Sequence, residues 1–457
     1  MQAIVVTAGK GTRLWPFTEI RSKSMLAVSN MPIVYWLQQA LAAAGVNEMA
    51  ILADEHEGQF AQFFHHNKAA SATSLHSVAG AQDIVEALLA YQQRNPVTDA
   101  VLVIPGDCLI EAEDLDRLVN SPSANAALLR KLRTEERSDR LCFNAEQDFK
   151  LLAHPRREGF DCEIVAYKLS ADFFSAALPY TTDIYDHVQV GMMPSSEKFL
   201  ESALVGWAQQ VTVDFIHCDQ PSFNLDYPWN ILEVNGYLNR QRCQQLSASE
   251  IAPSATVSSR AVIRGHIKVG QHSHIGDGVI FQGNAIVGDH CQITDGAIIG
   301  ENVVIGNGVT IKEYCKLADE TTVGNQAIIG HCAELAGVIF ESTYLYHNCE
   351  IAGVLGRNVD IGAGTTFGTL RYDDAKTSHL INQKRVTPHH YSNVVYMGDF
   401  TRTGVNTVIM PGVKVGCRSV VGSNVVLADD LPDERIIQVE QTLITKPWGS
   451  QRYGFNR

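Results

Sequence analysis

From Ile251 the chain becomes periodic. An aliphatic or aromatic residue stands at every sixth position, through Ile251, Val257, Ile263, Val269, Ile275, Phe281, Val287, Ile293, Ile299, Ile305, Ile311, Leu317, Val323, Ile329 and Leu335. Glycine often follows it, as at Gly270, Gly276, Gly288, Gly300, Gly306, Gly324 and Gly330. Two positions ahead of it the side chain is small: Ser273, Ala285, Cys291, Ala297, Cys315, Thr321, Ala327 and Ala333. An α-helix repeats every 3.6 residues and a strand every second one, so neither accounts for a period of six. The period is that of a parallel β-helix, whose repeats stack because none can bury its apolar face alone. One large residue per repeat fills a narrow core, and the small residue fits the tight interior beside it. Cys291 and Cys315 occupy the small-residue register and read as core filling. His266, His272, His274 and His290 fall at outward positions.

The phase slips between Leu335 and Cys349 and resumes through Leu355, Ile361 and Phe367. A non-repetitive insertion follows near 368–393, and the repeat returns at Ile409, Val415, Val421 and Leu427. Residues 431–457 lie outside the pattern. Asn235–Glu250 is polar and reads as a helical connector. The expected organisation is therefore an N-terminal domain over 1–235, a linker over 236–250, a β-helix over 251–430 and a C-terminal tail.

The first half alternates. Ala3–Ala8, Met49–Ala53 and Ala100–Asp107 read as buried strands; Pro32–Ala44 and Ile84–Gln93 read as helices. Apolar strands separated by amphipathic helices predict a mostly parallel sheet with helices on both faces. Ligands in such sheets bind beyond the carboxyl ends of strands.

One such end carries AGKGTRLWPFTEIRSKSMLAV, Ala8–Val28. Gly9 and Gly11 let backbone N–H groups approach phosphate oxygens. Arg13 offers a planar fork and Lys23 a compact charge. No G-K-[ST] closes the loop, and Leu14 stands where a dinucleotide fingerprint needs its third glycine, so neither standard motif applies. The chain as a whole is acidic, at −14. That balance argues against nucleic acid and anionic membrane as partners, and makes this loop a local positive patch. Magnesium takes one or two carboxylates plus substrate phosphates. Asp107, in the turn PGDC, and Asp226, in FNLDYPWN, are the candidates, although either alone would read as a turn cap. No secretory leader or bilayer-spanning stretch is read from the sequence, and the ten cysteines show no C-x-x-C pair. Reduced thiols in a cytoplasm are the expectation.

Gly9-Lys10-Gly11-Thr12-Arg13, Pro16, Thr18, Ser22-Lys23 and Met25-Leu26-Ala27-Val28 resemble the loop of the sugar-1-phosphate nucleotidylyltransferases. Gly80, in VAGAQD, resembles the glycine whose backbone helps read the base, and DYPWN the stretch with the second metal aspartate. The whole chain is similar to the bifunctional N-acetylglucosamine-1-phosphate uridylyltransferase/glucosamine-1-phosphate acetyltransferases, the archaeal branch above all. Asn358–Thr365 and Met397–Gly416 carry that second likeness. The resemblance implies an α/β fold, a Rossmann-like mixed sheet followed by a left-handed parallel β-helix, in a homotrimer. It implies transfer of a nucleotidyl group from an NTP, UTP or dTTP, to a sugar 1-phosphate with Mg2+. Arg13 and Lys23 would be catalytic; Ala8, Gly9, Gly11, Thr12 and Gly80 would hold nucleotide; Asp107 and Asp226 would hold metal.

The sugar side departs from the family's pattern. Ala153-His154-Pro155 stands where an E-K-P is usual, and Glu163–Tyr167 where N-x-G-I-Y is usual. His154 and Glu163 are the resulting sugar-binding candidates. In the β-helix, His347 is the nearest match to the acetyltransferase base, with acetyl-CoA as the implied substrate. Two other readings stand beside nucleotidyl transfer: acyl transfer at the β-helix, and a non-catalytic subunit that binds nucleotide or sugar nucleotide.

Overall fold

The structure is a computed structural model that describes residues 1–9, 11–54, 56–67, 71–133, 141–144, 152, 153, 156, 158–181 and 198–448. Its N-terminal half is built on one mixed sheet. Strands β1 (Gln2–Val6), β2 (Glu48–Ala53), β3 (Ala72–Ser77), β4 (Val101–Pro105), β5 (Ala126–Lys131), β6 (Cys162–Leu169) and β7 (Asp214–His217) lie in the order β3-β2-β1-β4-β6-β5-β7. The first four are parallel; β6 runs against β4 and β5. The expected parallel sheet is thus mixed on one side, because β6 returns antiparallel after the parallel units end. The central strands are apolar on both faces, which buries Ala3, Ile4, Val5, Ile51, Leu102 and Ile104 completely. Helices α1 (Ile33–Ala43), α2 (Glu57–His66), α3 (Ile84–Arg94) and α4 (Ala112–Val119) cover it. Pro32 caps α1 rather than opening it, and Gly45, at φ 79°, ends the turn that follows. Asp83 accepts from Glu86 N and caps α3. Chain order reverses between β1 and β4, so the loops after these two strands share a crevice.

The second half is the parallel β-helix that the six-residue period predicts, of the left-handed kind that the resemblance implies, with three short strands per coil. Partners lie eighteen residues apart, as Val257↔Ile275, Ile263↔Phe281 and Val269↔Val287. The repeat residues from Val269 to Leu335 are buried, while Ile251 and Ile263, on the end coil, are exposed. The small-residue positions do more than fill space. Ser273 Oγ, Cys291 Sγ and Cys315 Sγ each donate to the carbonyl fifteen residues on, that of Gly288, Gly306 and Gly330, at 2.7, 2.9 and 2.9 Å. Each satisfies a backbone acceptor at the next coil's corner. Burial pushes the Cys315 thiol up to about 11. His266, His272, His274 and His290 face outward as expected.

The phase slip is a straightened corner. Strands Glu334–Ile339 and Glu350–Leu355 run six residues without turning and pair in register, Leu335↔Ile351 and Ile339↔Leu355. These coils are sixteen residues long rather than eighteen. Gly337 and Gly353 hold the straight passage at φ 127° and 152°. A Cβ on Gly353 would fall on the Val395 carbonyl oxygen, so only glycine fits. The straightened face carries Val338, Val354 and Tyr396 on successive rungs. They point away from the β-helix core and are buried against Leu14, Phe17, Tyr227 and Trp229 of the N-terminal half. The helix α5 (Pro228–Gln244) packs on the same face; it starts seven residues ahead of the polar connector because Pro228 at its first position opens it. Among the described residues no helix is long and apolar enough to cross a membrane.

Candidate active site

Three segments converge at the carboxyl ends of β1 and β4. The first is the loop after β1. Gly9 sits at φ 145° and Gly11 at φ 59°. A Cβ on Gly11 would crowd Thr18 Cγ2 at 3.0 Å, and Thr18 Oγ1 donates to Gly11 O at 2.8 Å. The loop is therefore tied across its own base. Gln59 on α2 braces its far side, accepting from Ser22 N at 3.2 Å and donating to Ile20 O at 2.9 Å. The second segment is the turn after β4, where Gly106 N donates to Val6 O at 2.8 Å and brings Asp107 beside β1. The third is Phe223–Asn224, which pairs with Cys108–Leu109 and carries Asp226 to the same place. Asn230 accepts from Asp226 N and Tyr227 N at 3.2 and 2.8 Å, so Asp226 is pinned ahead of the N-terminus of α5.

The four charged residues singled out in the sequence meet here. Lys23 Nζ lies on Asp107 Oδ2 and at 3.0 Å from Asp226 Oδ1. Arg13 Nη2 reaches the same Asp226 oxygen at 3.0 Å. The Arg13 guanidinium also lies 5.9 Å from the Tyr227 ring centroid. Both carboxylates are 8% exposed. Two buried carboxylates converging on one ammonium match the donor set of a magnesium ion shared with substrate phosphates, so the residues present fit that metal. Ala8 lies half-buried behind the loop, and Gly80, at φ 93°, is exposed beyond the end of β3. Lys10 lies outside the described residues.

The sugar-side candidates fare differently. His154 lies outside the described residues. Glu163 is 0% exposed. Its Oε1 accepts from Arg130 Nε and Nη2 at 3.0 and 2.7 Å and from Asn224 Nδ2 at 2.5 Å. It sits in a buried ion pair beneath the segment that carries Asp226. His347 is exposed, one coil from the GAGT segment, and its carbonyl accepts from Gly364 N at 2.9 Å. Asp399, in the MGDF segment of the second likeness, is consumed at the junction of the two halves. It is 0% exposed and pairs with Arg21 of the phosphate loop and with Arg357 Nε at 3.1 Å. Burial pushes its carboxyl up, and the two guanidinium groups oppose that.

Residues 2–138 match the family described as Nucleotidyl transferase. That stretch takes in β1 to β5 and the phosphate loop. The whole chain is similar to the Bifunctional protein GlmU of Methanococcus maripaludis, 24% identical over 98% of this chain and 99% of the relative. It is also similar to a Bifunctional sugar-1-phosphate nucleotidylyltransferase/acetyltransferase of Sulfurisphaera tokodaii, 23% identical over 91% and 94%. Among solved structures, a UDP-glucose pyrophosphorylase complexed with UDP-glucose aligns with 53% of this chain and 99% of its own, at 16% identity and TM-score 0.45. Sequence reasoning missed several residues that hold the phosphate loop. Asp54 Oδ2 accepts from Gly9 N at 3.5 Å. Trp15 Nε1 donates to Asp433 at 2.9 Å, and Asn382 Nδ2 to Thr12 Oγ1 at 3.0 Å. The last two partners lie more than 350 residues away, beyond any local signal.

Proposed function

We propose that the nucleotidyl transferase domain moves a nucleotidyl group from UTP or dTTP to a sugar 1-phosphate. The observation that carries this reading is the meeting of Arg13 and Lys23 with Asp107 and Asp226 at the β1–β4 crevice. A phosphate oxygen of the sugar 1-phosphate attacks the α-phosphorus, the α–β phosphoanhydride bond breaks, and pyrophosphate leaves with the electron pair. The attacking phosphate is already anionic near pH 7, so no protein base is needed. Backbone N–H groups at Gly9, Gly11 and Thr12 receive phosphate oxygens, and Arg13 and Lys23 turn from the carboxylates to the charge that develops on the leaving group. Asp107 and Asp226 would hold magnesium, which would neutralise phosphate charge when bound. Gly80 reads the base through its backbone. Pyrophosphate release should be assayed with UTP and dTTP against a panel of sugar 1-phosphates. Release that persists undiminished in Lys23→Ala would sink the assignment.

The β-helix serves as a homotrimerisation platform in this reading, supported by apolar side chains left exposed on it, such as Val262, Tyr314 and Val426. Sedimentation equilibrium tests this. The exposure of His347 beside the GAGT coil favours a second activity, acyl transfer from acetyl-CoA to an amino sugar. Free thiol release that is lost in His347→Ala tests it. A cytoplasmic location fits ten cysteines that form no disulfide.

A further inference from the structure

The β-helix insertion folds back on the nucleotide loop. Its hairpin, His379–Ile381 against Lys384–Val386, turns through Asn382 and Gln383 at φ 44° and 65°. That is a two-residue turn of the I′ kind, which favours asparagine at its first position and glycine at its second. Gln383 occupies the glycine position and accepts the strain. Asn382, at the tip, donates to the Thr12 hydroxyl, one residue from Arg13. Ile381 and Val386, on the inner face, are buried in the cluster that holds Leu14, Phe17, Tyr227 and Trp229. His379 lies on that face too, 5.3 Å from the Trp229 ring, which stacks on Tyr227 at 4.7 Å. Tyr227 in turn underlies Arg13 and follows Asp226. The hairpin thus touches both pieces of the site, the phosphate loop and the Asp226 segment, from more than a hundred residues later in the chain.

The contact is held from behind. Lys414 is 1% exposed, donates to Leu380 O at 2.9 Å, pairs with Asp430 at 3.1 Å and lies 5.6 Å from the Trp15 ring. Cys417 Sγ donates to Pro16 O at 3.2 Å. The Arg21–Asp399–Arg357 cluster closes the other end of the loop. Residues Thr12 to Arg21, on either side of and including Arg13, are therefore clamped by β-helix side chains at Thr12, Trp15, Pro16 and Arg21.

We propose that the insertion hairpin completes the nucleotide site in cis, with Asn382 as a positioning residue that holds Thr12, and so the phosphate loop, in its nucleotide-receiving geometry. This rests on the nucleotidyl-transfer reading of the loop. The test is a double-mutant cycle in the full chain, with Asn382→Gly and Thr12→Val. Glycine keeps the positive φ and removes only the amide. Binding of magnesium UTP and magnesium dTTP is read by calorimetry, and KM and kcat for the same nucleotides by pyrophosphate release. Asn382→Gly should weaken binding and raise the nucleotide KM about three- to tenfold, the loss of one hydrogen bond, with kcat held within about twofold. The double variant should be no worse than Thr12→Val alone, because the two residues share one interaction. A merely structural hairpin would lower the melting temperature and leave KM unmoved, and that result overturns the proposal. Multiplying effects in the double variant would overturn it too. Binding reads the hairpin and turnover reads the chemistry, so a failure of one is separable from a failure of the other.

Discussion

Asp226 and Glu163 are two carboxylates served by one short strand, and their settings are opposite. Asn224 of that strand donates to Glu163, and Asp226 follows two residues later. Glu163 is sealed, 0% exposed, with Arg130 placed on it by two nitrogens. Asp226 faces the crevice, and its partners Arg13 and Lys23 are long side chains on a loop. The first arrangement holds β5 to β6; the second can exchange its cations for a ligand. An acidic residue at a sheet end is thus a site residue only where its counter-charges are free to leave it.

That contrast predicts different losses. Glu163→Ala leaves Arg130 buried without its carboxylate and should cost about 3–5 kcal/mol of stability, read by denaturant unfolding. If Glu163 instead binds sugar, the sugar 1-phosphate KM will rise with stability intact. Asp226→Asn should do the reverse. Pyrophosphate release should fall by about a hundredfold or more, while the midpoint of unfolding moves little, since asparagine keeps the side chain's shape and an oxygen that accepts from Arg13 and Lys23. Between the two lies Gly353→Ala, which adds a Cβ against the Val395 carbonyl at φ 152°. It should cost about 1–3 kcal/mol and loosen the docking of the two halves, read as a separate early transition in calorimetry.

The last effect is a pH slope. Burial lowers the His379 pKa from 6.5 to about 4, against the hydrogen bond from its Nε2 to Ser392 O. The unfolded chain binds the proton first, so the stability this neutral histidine contributes is full above pH 6.5 and is lost as pH falls toward 4. Melting temperature between those limits should fall more steeply in the wild type than in His379→Asn.

The β-helix was legible because its period is enforced by every coil. The slip was legible as a break in phase but its form was not, because a straight corner looks like a missing residue pair until Gly337 and Gly353 are seen stacked. In hindsight ELAGVI and EIAGVL, sixteen residues apart, carry the signal. The phosphate loop was legible because its glycines, charges and strand end sit together in the chain; Asp107 and Asp226, 84 and 203 residues past Lys23, were legible only through their turns and the resemblance that names them. The burial of Glu163 was not, since Arg130 meets it only through strand pairing. Nor was the clamp on Thr12–Arg21, which depends on how a β-helix docks. The MGDF segment shows the cost of reading a motif alone: its aspartate fastens the two halves together.

The central claim is that Lys23, Arg13, Asp107 and Asp226 form one nucleotidyl-transfer site. The most direct measurement is magnesium-dependent pyrophosphate release from UTP or dTTP with a sugar 1-phosphate, compared between wild type and Asp107→Ala at matched folded fraction. The account predicts release in the wild type and a loss of about a hundredfold or more in the variant. Equal release from both proteins would contradict it.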